Sequence, residues 1–258
     1  MRHLFSICLI AFLLPVPVLG AAKPAPEGQA VMREVADGDT LTLDNGVVVR
    51  LVGIQAPKLA LGRPGFTPWP LADAARQALV ELTQKQNLEL RFGGAPTDRH
   101  GRTLAHLYRM PDGLWIQGEM LRRGMARVYT FSDNRAQVPE MLALERAARA
   151  AKLGIWGHEF YAIRTPQGLD RLTGSFQLVE GRVLKFAKIA DYVFLNFGAD
   201  YKTDFTVVIR RQDWMRFAAV PLAAAAYENK SVRVRGWLEH WNGPMLRITH
   251  PEQIEVIE

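Results

Sequence analysis

The spacing of apolar and polar positions changes along the chain, and each change predicts an element. Val31–Ala36 reads as a short mixed strand. Thr40–Leu43 alternates, and Asp44-Asn45-Gly46 is a strong hairpin turn into Val47–Ile54, a β-branched run whose one charge is Arg50. Pro57–Pro70 is rich in proline and glycine and predicts a loop. Leu71, Ala74, Ala75, Ala78, Leu79 and Leu82 recur at helical spacing within Leu71–Gln84. Strands are expected at Leu88–Phe92 and Arg102–Met110, on either side of a turn-rich loop at Gly93–Gly101. Trp115–Arg123 predicts a helix closed by Gly124, Ala126–Phe131 an extended segment, and Val138–Leu153 a helix stopped by Gly154. This order predicts an α+β domain that is mainly β, an OB-fold barrel with helices packed outside.

Pro166, Gly168 and Gly174 mark a linker over residues 161–175. Strand-like stretches resume at Phe176–Phe186, Asp191–Phe197, Phe205–Ile209, Ser231–Leu238 and Leu246–Ile257, with a short helix expected at Ala218–Tyr227. Strands with one helix between the third and fourth again match an OB-type barrel, although no close repeat links the two halves. The expected organisation is a signal peptide (1–22), a polar leader (23–30), a first barrel domain (31–160), the linker (161–175) and a second small OB-like β-barrel (176–258).

The first boundary rests on chemistry at the N-terminus. Arg2 and His3 precede an uncharged apolar run, Leu4–Leu14, which Pro15 and Pro17 break before the small residues Gly20, Ala21 and Ala22. This is the layout of a secretory signal peptide, with cleavage after Gly20 or Ala22. The run stops short of the ~20 residues that a spanning helix needs, so no stable membrane insertion is expected after its removal. The expected location is periplasmic or secreted. Cys8 is the one cysteine and lies inside the run, so the mature chain would carry neither a disulfide nor a thiolate.

Charge changes the picture modestly. The mature chain would hold 31 basic and 26 acidic side chains. Residues 23–175 carry 20 basic and 16 acidic groups, and 16 of those basic groups are arginine, the side chain suited to bidentate phosphate contact. Residues 176–258 are nearly balanced, with 11 basic and 10 acidic groups. A polyanionic partner suits the first half, as does a merely solvated basic surface.

Several short motifs gain meaning from their order. Asp37-Gly38-Asp39-Thr40 sets two carboxylates around a tight turn, and Arg50 stands alone in an apolar strand, where a charge must be paired or face a polar site. Ile54-Gln55-Ala56-Pro57 follows, then Asp98-Arg99-His100-Gly101-Arg102, Leu121-Arg122-Arg123-Gly124-Met125-Ala126 and Gly154-Ile155-Trp156. Singly these are ordinary turns. As a series they resemble, in order and approximate spacing, the staphylococcal-nuclease (thermonuclease) family over residues 30–157.

That resemblance implies an OB barrel with a phosphodiester site on its face. It implies that Asp39 is a Ca²⁺ ligand and that Arg50 and Arg102 hold the scissile phosphate. Two guanidinium forks can bind the charge gained by a five-coordinate phosphorus. Asp37 and Asp98 also match acidic family positions and read as turn-fixing residues.

Two positions depart from the family pattern of acid–X–Pro–acid, which here is Gln55-Ala56-Pro57-Lys58. Gln55 stands where the second metal carboxylate is implied; its amide oxygen can still bind Ca²⁺, but without charge. Lys58 stands where the water-activating glutamate is implied, and an ammonium is no base at ordinary pKa. Lys58 could instead add a third cation at the rim of the phosphate site. Tyr129 and Phe131 share one face of an extended segment near family aromatics that lie against the nucleotide; core packing is the competing reading, favoured for Phe131. Trp237 and Trp241 with Arg233 and Arg235 could form a single-strand-binding face, although ordinary strand alternation explains them better. The expected partner is the phosphodiester backbone of DNA or RNA, with weakened hydrolysis and weakened Ca²⁺ binding. The alternatives are an inactive nucleic-acid-binding module and a scaffold in which both barrels bind protein, with residues 176–258 open to a protein partner.

Overall fold

The computed structural model describes residues 29–217 and 227–257. The signal peptide expected at 1–22 and most of the helix expected at Ala218–Tyr227 lie outside these residues. The first half contains β1 (Gln29–Asp37), β2 (Thr40–Leu43), β3 (Val48–Leu51), β4 (Ile54–Gln55), α1 (Ala72–Thr83), β5 (Asn87–Arg91), β6 (Thr103–Met110), β7 (Leu114–Trp115), α2 (Ile116–Arg122), β8 (Arg127–Val128) and α3 (Val138–Ala150). β1 serves two neighbours: Gln29–Val31 pair with β5, and Met32–Asp37 pair with β2. Register shifts at Met32/Glu34 and Val35/Asp37 allow the strand to bend between them. β3 pairs antiparallel with β2 and parallel with β6, which closes a barrel of β1, β2, β3, β6 and β5.

The barrel closes around the apolar positions that alternate along its strands. Leu41, Leu43, Val49, Leu51, Leu88, Leu90 and Leu107 are buried inside it. The Ala75–Leu79–Leu82 stripe of α1 and the Val138–Met141–Leu142 face of α3 bury against the same core. Helix α1 approaches the first turn so closely that a Cβ at Gly38 would stand 2.7 Å from the Cβ of Ala56 and 2.8 Å from that of Ala75. Glycine is therefore needed between the two carboxylates by close packing.

The second half contains β9 (Phe176–Arg182), β10 (Lys185–Ile189), β11 (Tyr192–Asn196), β12 (Thr206–Arg210), α4 (Arg211–Phe217), β13 (Ser231–His240), β14 (Pro244–Arg247) and β15 (Ile254–Val256). The run expected as one strand at Phe176–Phe186 is bent in two: β9 pairs with β13, and β10 pairs with β11. β12 is antiparallel to β11 and parallel to β14, and β14 returns to β13. A bent first strand and a parallel pair thus close the same circuit as in the first barrel. Helix α4 follows β12 directly and was not expected from the sequence. Residues 161–175 are tied to both halves: the Tyr161 hydroxyl donates to the Pro70 carbonyl (2.7 Å), and Leu169 enters the second core.

The two halves also meet through buried polar groups. His250 is fully buried and lies 2.7 Å from the Thr130 hydroxyl, while Arg135 grips Glu252 at 2.6 Å. Burial lowers the His250 imidazole to about 4, and burial likewise lowers His106, in the first barrel, to about 4. Both are neutral in the fold, whereas the unfolded chain protonates them near 6.5. Between these values the unfolded state holds more protons, so stability must fall as pH drops from 6.5 towards 4. The loss is on the order of 3 kcal/mol per histidine at the lower end. Urea unfolding at several pH values should show this slope, and His250→Gln should flatten it. A slope unchanged by the substitution would refute the assignment to His250.

Candidate functional site

The hairpin turn Asp37–Thr40, the end of β3, the β4 segment and the 97–102 loop converge on one cleft of about 680 Å³. Its cationic lining is Arg50, Lys58, Arg63, Arg99 and Arg102, and Tyr129 and Phe131 form another wall. The acidic lining is Asp37, Asp98 and Asp133, so cations predominate.

At the floor, Asp39 is fully buried and its carboxylate is saturated. One oxygen accepts the Ala56 N–H (2.8 Å), and the other accepts the Thr40 hydroxyl (3.1 Å). Arg50 approaches at 3.3 Å, and the Lys58 ammonium spans both oxygens at 2.7 and 2.6 Å. Burial would raise the Asp39 carboxyl, but the Arg50 guanidinium and the Lys58 ammonium outweigh it and hold it well below the usual carboxylate range. Lys58 also reaches Asp37 at 3.2 Å. Burial and then the Asp39 charge push the Asp37 carboxyl upward, against the pull of Lys58.

Lys58 lines the cleft, as expected for a cation at its edge, but its charge is taken up. Its ammonium sits down on the carboxylates, with a fifth of its side chain exposed. Arg50 is also largely committed, donating to the carbonyls of Leu51 and Ile54 at 2.6 Å each and to that of Asp39 at 3.3 Å. Gln55 lines the cleft, but its amide oxygen is taken up: it accepts two N–H groups of the buried Arg127 at 3.0 and 2.7 Å. Arg127 in turn lies 4.5 Å from the centre of the Phe176 ring.

Arg102 remains partly open to the cleft. It forks onto Asp98 at 2.8 and 2.7 Å, and a third of its side chain is exposed. Burial works to raise the Asp98 carboxyl, but the Arg102 amide and guanidinium and the His100 amide bring it down. Asp98 thus fixes both the turn and the direction of Arg102. Phe131 is about half exposed (51%), against the core packing expected from sequence, and stands edge-on to Tyr129 at 4.9 Å. Asp73 and Glu81, the helical acids of α1, are both exposed and lie outside the cleft lining. Sequence reasoning assigned no role to Arg63 or Arg99; the sign available was an arginine inside each glycine-containing turn, Gly62-Arg63-Pro64-Gly65 and Asp98–Gly101.

These donors do not fit Ca²⁺. The ion takes 6–8 oxygen ligands at 2.3–2.6 Å. Both oxygens of Asp39 are engaged by an ammonium, a guanidinium, an amide and a hydroxyl, and the oxygen of Gln55 is engaged by Arg127. Among the described residues no group of three acidic, histidine or cysteine side chains could hold a metal ion.

Comparison with known proteins agrees with this architecture. Residues 48–158 match the model of the staphylococcal nuclease homologue family. The chain is 33% identical to Protein ParB of Escherichia coli over 162 residues, covering 58% of this chain and 85% of that protein. It is 26% identical to the Thermonuclease of Staphylococcus intermedius over 134 residues, covering 49% of this chain and 74% of that protein. A probable staphylococcal-like nuclease of Oryza sativa subsp. japonica is 32% identical over 108 residues, which is 42% of this chain but 28% of that protein. With its closed barrel, its cationic cleft and these relatives, the chain belongs to the staphylococcal nuclease homologue family.

Proposed function

We propose that this protein is an exported, nuclease-family protein that grips the phosphodiester backbone of DNA or RNA and hydrolyses it slowly. The observation that carries the reading is the cleft itself. Arg63, Arg99 and Arg102 face a space whose other wall is Tyr129 and Phe131, while the acids at its floor are already neutralised by Lys58 and Arg50. Such a cleft can bind phosphates by charge-assisted hydrogen bonds and a base by stacking. Asp37, Asp39 and Asp98 are each held by a cation, so among the described residues Asp133 is the one acid of the lining without an ion pair, and loss of a general base at the floor costs ~10²–10⁴-fold in rate. Export is supported by the apolar run Leu4–Leu14 and the small residues after it.

The test compares binding with cleavage. Labelled single-stranded DNA and RNA should bind to the purified protein in EDTA, and affinity should fall linearly with salt on logarithmic axes as counterions are released. Arg102→Ala should weaken binding by about tenfold and flatten that slope by about one phosphate contact. Cleavage by the native protein should be slow and nearly the same with Ca²⁺ or EDTA. Absence of binding at low salt would overturn the proposal, as would fast cleavage that Ca²⁺ switches on.

A further inference from the structure

On each strand of the second barrel, alternate side chains point away from its core. Val193 and Leu195 are buried inside, so Tyr192 and Phe194 lie on the outer face of β11. Cross-strand register places Arg210 opposite Tyr192, Val208 opposite Phe194, and Arg247 beside Val208. Trp241, just past the end of β13, lays its ring over this face, with its centre 5.5 Å from that of Tyr192 and 6.0 Å from that of Phe194. It remains 43% exposed. Beside Tyr192 a pocket of about 460 Å³ is lined by Arg210, Arg211 and Asp191.

This aromatic, cationic face connects to the cleft of the first barrel. Trp237 is outward on β13, where Leu238 is inward, and its indole N–H donates to the Tyr129 hydroxyl at 3.0 Å. Tyr129 is a cleft wall, and Phe131 beside it is exposed. Trp237 on β13 and Trp241 just past its end are four residues apart, a path of about 13 Å in extended chain. Phe131, Tyr129, Trp237 and then Trp241 with Phe194 and Tyr192 therefore form one track across both barrels, with Arg210 along its far part; Arg247 is paired with Glu239, which lies between the two tryptophans, at 3.4 Å.

We infer that a single strand of nucleic acid leaves the cleft past Tyr129 and Phe131 and continues over the outer face of β11, β12 and β14, stacking on Trp241 and Phe194 and meeting Arg210 and Arg211 with its phosphates. Exposed rings can stack only on unpaired bases, because a duplex buries those faces. The inference rests on the cleft being a nucleic-acid site and adds a substrate class, single strands long enough to reach the second barrel. Arg233 and Arg235, for which ordinary strand alternation was the favoured reading, are not part of this face: Arg233 pairs with Glu180, and Arg235 is buried against Glu145 and Glu255.

The test is fluorescence anisotropy of the whole chain, in EDTA, with labelled oligothymidylates of about 4 and about 16 nucleotides, the span of OB-fold site sizes. The native protein should bind the longer strand at least tenfold more tightly than the short one. Trp241→Ala with Phe194→Ala should abolish that gain and leave short-strand affinity unchanged. Arg210→Glu should cut the gain severalfold, and Trp241→Phe should keep most of it, which separates loss of stacking from loss of folding. Equal native affinity for both lengths would overturn the track alone, and so would a gain that survives the double substitution. A parallel loss for short and long strands in Arg210→Glu would also count against it. A native protein that binds neither strand would overturn the cleft reading as well. Preference for the longer strand as a duplex would overturn the single-strand assignment.

Discussion

Replacing Lys58 by glutamate together with Gln55 by aspartate is expected to raise Ca²⁺-dependent cleavage by ~10²–10⁴-fold over the native protein, the span attributed to general-base help. The direction follows from the floor of the cleft. Lys58 neutralises Asp39 at 2.6 Å and Asp37 at 3.2 Å, so the native carboxylates have no need of a second cation. Lys58→Glu removes that cation and sets a carboxylate in its place, leaving an acidic cluster balanced only by Arg50. Such a cluster is unstable until a cation arrives. Ca²⁺ should therefore raise the melting temperature of the double variant by several degrees and leave the native protein unmoved. Lys58→Met separates the two effects, since it frees Asp39 without supplying a base: it should respond to Ca²⁺ in melting but gain little cleavage. Gln55→Asp alone should do little, because the new carboxylate inherits the Arg127 fork that holds the amide at 2.7 Å. If the native protein is itself stabilised by Ca²⁺, or the double variant cuts no faster, Lys58 is not what silences this floor.

How much of this was legible beforehand varies with the range of the interaction. The Asp44-Asn45-Gly46 hairpin, the α1 stripe and the Gly124 stop are local, and each lies where the residues place it. The bends of β1 and of β9–β10 were not legible, because a strand that changes partners keeps its alternation and only its neighbours differ. Helix α4 was missed for another reason: Arg211–Phe217 is a single short stretch with two arginines and no clear apolar stripe. At the site, the residue types at 39, 50, 55, 58 and 102 could be read, yet not their pairing. Lys58 and Asp39 are 19 positions apart, and no spacing shows that an ammonium faces a buried acid rather than solvent. Gln55 and Arg127 are 72 apart, and a glutamine whose amide oxygen is held by an arginine reads the same as one whose oxygen is free. Val232-Arg233-Val234-Arg235 reads as a half-buried strand with a wet face; alternation shows which side leaves the barrel but not that α3 covers it.

That covered face supplies the largest expected loss of stability. Arg235 has 1% of its side chain exposed and pairs with Glu145 at 3.0 Å and Glu255 at 2.6 Å. Burial would lower its guanidinium pKa, but Glu145 and Glu255 more than compensate and raise it. Glu145 is itself fully buried on α3, and its other contacts are Arg149 at 3.0 Å and the Val128 N–H at 2.6 Å. Removing one partner of such a group leaves a charge in low dielectric, which costs about 3–5 kcal/mol. Arg235→Ala should therefore lower the melting temperature by roughly 6–20 °C for a chain of this size. Adding Glu145→Gln should recover part of that loss, because the abandoned charge goes with it, whereas two independent sites would simply add. The same change should reach the cleft. Val128 precedes Tyr129, and Trp237, two residues beyond Arg235, holds the Tyr129 hydroxyl. Affinity for single strands should fall with stability in Arg235→Ala and return with it in the double variant. Thermal melts and strand binding on the native protein, Arg235→Ala, Glu145→Gln and the double variant decide this, and an Arg235→Ala melting within a degree or two of native would mean that the two barrels do not depend on this pair.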